Sequence, residues 1–297
     1  MLKSPPEFPE GSWRMAGIDY EKEYDNRGRV PEHPEIFARW EAETKAYRAA
    51  RPDAELGLSY GPSPRQTMDL FPAKDNDAMT PLAMFIHGGW WRSLDPAMFS
   101  QMAKGANAHG VSVAVIGYDL CPQVSVATII EQVRAACLAL WRRTGKRIFI
   151  YGHSAGGHLT ACMVAQDWKV FASDAPADLV PAGYAVSGVF DLSPILQVTP
   201  NQDIRLDAEQ ARACSPLFWK VPRGRRLDAV VGGLESSEFL RQSKTLAEAW
   251  GARGVETRYE EIAGTNHFTV IDPLADPDSA MTRRVVQMAT LVNALAL

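Results

Sequence analysis

Short apolar runs alternate with amphipathic stretches along most of this chain. Runs rich in β-branched and aromatic residues at 56–60, 67–71, 82–86, 111–118, 147–151, 183–187, 228–231 and 255–260 predict strands. Helical spacing of apolar positions at 127–141, at 237–250 and from Ser279 onward predicts helices between and after them. Strands alternating with helices imply a mostly parallel sheet covered on both faces, and the early pair before Leu82 is expected to form an antiparallel edge. Upstream, 31–51 sets Ile36, Phe37, Trp40, Ala46 and Tyr47 at helical spacing among charges. We read 1–54 as an N-terminal appendage packing on a main domain spanning 55–297. Within that domain, 191–222 is irregular and Pro-rich, with Asn201, Asp203 and Arg205 among apolar residues. It reads equally as a cap over a pocket mouth and as an ordinary long connection.

The predicted strand at 147–151 runs directly into Gly152-His153-Ser154-Ala155-Gly156, and Gly157-His158-Leu159-Thr160-Ala161 then reads as the start of a helix. A GxSxG sequence between a strand and a helix is the pattern of a nucleophile elbow, in which a sharp turn exposes the serine and small residues two positions away avoid clashes. A second motif stands at the right distance upstream. His87-Gly88-Gly89-Trp90-Trp91 follows the strand at 82–86, the layout of an oxyanion loop whose glycines let backbone N–H groups turn toward a carbonyl oxygen gaining charge. An ordinary Gly-Gly turn capping a strand would look alike; the two motifs in the expected order favour the oxyanion loop.

In such an arrangement the order along the chain is Ser, then Asp or Glu, then His. Of His33, His87, His109, His153, His158 and His267, only His267 lies far enough downstream to be the base. It sits in a Gly- and Asn-containing loop after a strand, whereas His153 and His158 flank the serine and are expected to be fixed by packing. The acid is expected on the loop after 228–231, where Glu235 is best placed. Glu238, one helical turn on, is its rival and is expected to cap or solvate the following helix. Asp228 begins the strand, and Asp272 follows the histidine. Trp90, Trp91, Tyr118 and Trp168 are candidates for an aromatic-accepting pocket, with Trp90 and Trp91 next to the turn.

Composition narrows the chemistry. At 297 residues, 46% hydrophobic and 22% charged, the chain is long enough for one large α/β domain. A net charge of −4 and the lack of a basic run argue against nucleic acid as a partner. No stretch approaches the ~18 apolar residues of a membrane span, and the first residues lack a signal-peptide core, so no membrane partner and a cytoplasmic location are expected. Cys121, Cys137, Cys162 and Cys214 form no CxxC pair and read as buried thiols. With no HExxH or Cys/His cluster, no metal and no cofactor are expected, and the chemistry falls to side chains and backbone.

These residues resemble the α/β-hydrolase superfamily and, more narrowly, its arylformamidase-like (kynurenine formamidase-like) esterases. The resemblance covers almost the whole chain: Tyr24-Asp25-Asn26-Arg27, Val30-Pro31, Tyr60-Gly61-Pro62, Asp69-Leu70-Phe71, the loop from His87 to Trp91, Tyr118-Asp119-Leu120-Cys121-Pro122, the elbow, Ser187-Gly188, Asp191-Leu192, and Glu235 to Phe239 ahead of Asn266-His267-Phe268. It implies Ser154 as nucleophile, His267 as base and Glu235 as acid. Position 90 is Trp where relatives commonly have Tyr, and the acid is Glu rather than Asp.

The expectation is therefore an α/β-hydrolase fold carrying a cofactor-independent serine hydrolase. It would cleave a small carboxylic ester or an N-formyl aryl amide, with Gly88, Gly89 and Ala155 as oxyanion donors. Two other readings stand beside it: a ligand-binding, non-catalytic protein on the same fold, and an acyltransferase. Oligomeric state is open between a monomer and a homodimer.

Overall fold

A computed structural model describes residues 17–75 and 77–295. The first residues, including the stretch read as lacking a signal peptide, lie outside the described residues. Eight strands, β1 (Glu55–Ser59), β2 (Thr67–Phe71), β3 (Leu82–Ile86), β4 (Ser112–Ile116), β5 (Phe149–His153), β6 (Ala182–Val186), β7 (Arg226–Gly232) and β8 (Glu256–Ile262), form one sheet in the order β1-β2-β4-β3-β5-β6-β7-β8. The pairs β1·β2 and β2·β4 are antiparallel and the rest are parallel, so the early pair does form an antiparallel edge. Among the described residues three helices precede the sheet: α1 (Tyr20–Tyr24), α2 (Asn26–Arg29) and α3 (His33–Ala49). The remainder are α4 (Lys104–Ala108), α5 (Val126–Thr144), α6 (Ala155–Val164), α7 (Trp168–Phe171), α8 (Asn201–Ile204), α9 (Ala208–Ala213), α10 (Ser237–Gly251) and α11 (Ala280–Ala294).

The central strands are buried along their whole length, so their side chains divide by parity between two cores. Leu82, Met84, Ile86, Ala114, Ile116 and Ile150 face one way, against Val133, Ala136 and Leu140 of α5, Leu159 of α6 and Leu246 and Trp250 of α10. Ala83, Phe85, Val113, Val115, Phe149 and Tyr151 face the other way, against Ile36 and Trp40 of α3 and Val285, Met288 and Val292 of α11. The predicted helix at 127–141 is a turn longer; Ser125 caps its start and Gly145, at φ 71°, ends it.

The chain leaves β3 for β4 on one side and returns past β3 to β5 on the other. That reversal opens a crevice at the carboxyl ends of β3 and β5, where open α/β sheets bind ligands. Both sequence motifs sit there.

Candidate active site

The elbow is built by close approach of backbones. β5 runs through Gly152 and His153, two residues further than the sequence pattern predicts, and Ser154 then turns the chain at φ 56°, ψ −118° into α6. A Cβ on Gly156 would lie 2.0 Å from the Ile86 carbonyl oxygen, and one on Gly152 would lie 2.4 Å from that of Gly156. No side chain fits at either position, so GxSxG here is a steric requirement. Because Ile86 pairs with Gly152, the loop after β3 emerges beside the serine, and a Cβ on Gly88 would come within 2.9 Å of the Ser154 Cβ. Gly89, at φ 110°, lines the cavity above Ser154. Ala155 is the first residue of α6, whose N–H has no acceptor within the helix.

Register on the other side of the sheet brings in the residues expected as acid and base. Gly232 pairs with Ile262, so the loops leaving β7 and β8 are neighbours. Glu235 and His267 come from those loops. His267 Nδ1 lies 2.6 Å from Glu235 Oε2, and His267 Nε2 lies 3.1 Å from Ser154 Oγ. With Nδ1–H donated to the carboxylate, Nε2 is the bare nitrogen and accepts a hydrogen bond from the Ser154 hydroxyl. All three residues are buried. The His267 backbone is pinned as well, since His153 Nε2 donates to its carbonyl oxygen at 2.7 Å.

The other histidines near the elbow are structural. Burial, and then the neighbouring His267, hold the His153 imidazole well below its ordinary range. Burial lowers His87 and His158 to about 4 each. His158 donates to the Cys214 carbonyl at 2.7 Å, and His87 donates to that of Gly88 at 2.7 Å while lying between the rings of Tyr118 and Phe99. All four cysteines are buried free thiols, with Cys121 and Cys214 pushed up to about 11 by burial. Among the described residues no group of three His, Cys, Asp or Glu side chains is arranged to hold a metal, and no helix is long and apolar enough to cross a membrane.

A cavity of about 210 Å³ opens onto Ser154 and His267. Trp90 lines it, but Trp91 and Tyr118 do not, which corrects two pocket expectations. Trp91, at φ 54°, turns its ring into the core edge-on to His158, and Tyr118 stacks on His87 and donates its hydroxyl to the His87 carbonyl at 2.8 Å. Trp168 is likewise fully buried. The wall opposite comes from residues the sequence reading did not single out as pocket residues: Tyr24, Asn26 and Arg27 from the short N-terminal helices, and Phe37 and Trp40 from α3. The segment read as an appendage thus forms part of the cavity. Tyr24-Asp25-Asn26-Arg27, noticed only within the family resemblance, was the available signal. From the irregular stretch at 191–222, Val198, Thr199 and Pro200 reach the cavity.

The rival carboxylates have other occupations. Glu238 does not solvate its helix: it is 1% exposed, grips Arg241 through both oxygens at 2.6 and 2.7 Å and accepts the Tyr24 hydroxyl at 3.0 Å. Tyr24 in turn meets Trp90 and Phe239 edge-on. Asp228 lies toward the start of β7, bound to Arg284, and Asp272 accepts from Trp40 Nε1 at 2.9 Å and from Arg39.

Comparison with known proteins identifies the fold family. The model of the alpha/beta hydrolase fold matches residues 83–271. Kynurenine formamidase of Salmo salar is 29% identical over 78% of this chain and 81% of its own length. That of Drosophila melanogaster is 28% identical over 76% and 78%. Among solved structures, a protein of Silicibacter sp. tm1040 provisionally named a thioesterase is 33% identical, covers 91% of this chain and 100% of its own, and superposes with a TM-score of 0.80. The chain belongs to the α/β-hydrolase family and, within it, to the arylformamidase-like group of hydrolases.

Proposed function

We propose that this protein is a serine hydrolase that cleaves a small carboxylic ester or an N-formyl aryl amide through an acyl-enzyme. The observation that carries the reading is the relay in which His267 faces Ser154 Oγ at 3.1 Å through one nitrogen and Glu235 at 2.6 Å through the other. Ser154 Oγ attacks the carbonyl carbon as His267 Nε2 takes its proton, and the Glu235 carboxylate fixes the tautomer and stabilises the imidazolium. The N–H groups of Ala155, Gly88 and Gly89 receive the developing oxyanion. The protonated His267 gives its proton to the leaving alcohol or amine. Water, deprotonated by His267, then attacks the acyl carbonyl and returns Ser154 to the free hydroxyl.

The cavity walls support an aromatic leaving group, because Trp90, Tyr24, Phe37, Trp40, Phe99 and Phe268 surround the space above the serine. Kynurenine formamidases among the relatives point the same way. The deciding experiment compares kcat/KM for N-formylkynurenine with that for short-chain aryl esters, together with pre-steady-state release of p-nitrophenol from its acetate. We expect turnover of both classes and a burst equal to the enzyme concentration. Release of p-nitrophenol without acylation of Ser154, read by mass spectrometry of the quenched enzyme, would sink the mechanism.

A further inference from the structure

We propose that Ser187 is a positioning residue for Glu235, holding the carboxylate so that one oxygen is left aimed at His267; this rests on the triad reading given above. Ser187 follows β6 directly, and the pairing of Val186 with Val230 sets it beside the loop leaving β7. Its N–H donates to the Val230 carbonyl at 2.7 Å, and its hydroxyl donates to Glu235 Oε1 at 2.5 Å. The Gly232 N–H reaches the same oxygen at 2.7 Å. Oε1 is therefore occupied twice, while among the described residues Oε2 meets His267 Nδ1 alone, at 2.6 Å.

Three features make this more than a filled hydrogen bond. The Glu235 side chain is 0% exposed, so solvent does not supply donors to its carboxylate. A buried carboxylate keeps its charge only where donors or cations meet it, and Ser187 is the side-chain donor on the oxygen away from the histidine. Glutamate also has one more rotatable bond than aspartate, so its carboxylate sweeps a wider arc unless it is restrained laterally. Finally, Ser187 stands at φ 52°, in the left-handed region that glycine enters without steric cost. A side chain at this position works against the backbone, and the hydroxyl it brings is fully buried and spent on Glu235.

The experiment is a cycle of Ser187→Ala, Glu235→Gln and the double variant, with kcat and KM read on p-nitrophenyl acetate and folding read by urea denaturation. We expect Ser187→Ala to lower kcat roughly ten- to a hundredfold, the worth of one hydrogen bond to a charged group, with KM little changed. In the Glu235→Gln background the same change should add less than about twofold, because a residue acting through Glu235 has nothing left to position. Ser187→Gly suits the positive φ and gives the same readings if the alanine protein does not fold. Full kcat in Ser187→Ala, beside an impaired Glu235→Gln, would overturn the positioning role and leave the triad standing. Equal losses in both backgrounds would overturn it too, by marking a merely structural residue. A silent Glu235→Gln would remove Glu235 from the triad and the positioning role with it.

Discussion

The two sides of the cavity are built by different means. On one side, Ser154, Glu235 and His267 stand just beyond the carboxyl ends of β5, β7 and β8, and strand register carries them together. On the other, Tyr24, Phe37 and Trp40 come from helices outside the sheet, and two of them are anchored by side chains far along the chain: Tyr24 by Glu238 and Gln242, and Trp40 by Asp272. Backbone close approach leaves a local signature, because only particular residues survive it. Long-range side-chain contacts leave none, since many residue pairs would serve. The comparison therefore separates the side that carries the proposed chemistry from a side that shapes the space around it, and the separation can be tested.

The largest effect is expected on the strand side. Ser154→Ala should leave the fold intact and lower kcat on the order of 10⁶-fold; a clean preparation keeping more than a few per cent of wild-type activity would refute the assignment. Glu235→Gln should lower kcat by roughly 10² to 10⁴. Glu238→Gln should stay within about tenfold, so equal losses would mean that the wall and the chemistry are not separable.

Acid should destabilise the fold through two buried histidines packed near the elbow. His87 and His158 take up a proton near ~6.5 in the unfolded chain but only at about 4 in the fold. Below about pH 6.5 the unfolded state thus binds more protons, and stability falls as pH drops toward 4. Each histidine contributes up to on the order of 3 kcal/mol that is fully present above pH ~6.5. Urea midpoints at pH 7.5, 6 and 5 should decline in that order, and His158→Gln should flatten the decline; an unchanged slope would count against its buried neutral state.

Smaller effects belong to the wall. Glu238→Gln should destabilise the protein by about 1–3 kcal/mol, because Arg241 and the Tyr24 hydroxyl lose a charged partner, and should raise KM more than it lowers kcat. Tyr24→Phe is the mildest change. It keeps the ring against Trp90 and Phe239 and drops only the hydroxyl, so stability should fall by about 1 kcal/mol and KM should change less than about threefold. A larger effect on kcat than on KM in either variant would place the wall within the chemistry.

The same contrast explains what could be read from the sequence. The strands at β2 and β3 fall where the apolar runs end, because turns flank them sharply, and the antiparallel edge followed from its position before the first buried strand. The elbow and the His87 to Gly89 turn were legible because a Cβ at Gly88, Gly152 or Gly156 would collide with neighbouring backbone or with Ser154. Chain order led to His267. Aromatic residues misled: Trp90 and Trp91 are adjacent and chemically alike, yet one lines the cavity and the other packs on His158. Sequence distance hid the rest, since Tyr24 and Glu238 meet across 214 positions.

The stretch matched by the family model, 83–271, contains Ser154, Glu235, His267 and the glycines beside them, and leaves out Tyr24, Asn26, Arg27, Phe37 and Trp40. Part of the surface that meets a substrate therefore lies outside that stretch, while Trp90 and Val198 to Pro200 line the same cavity from within it. A change at Arg27 or Phe37 alters the cavity lining without removing a hydrogen bond of the relay. Substitutions at these early wall positions change what fits beside Ser154 while leaving the residues of the relay as they are.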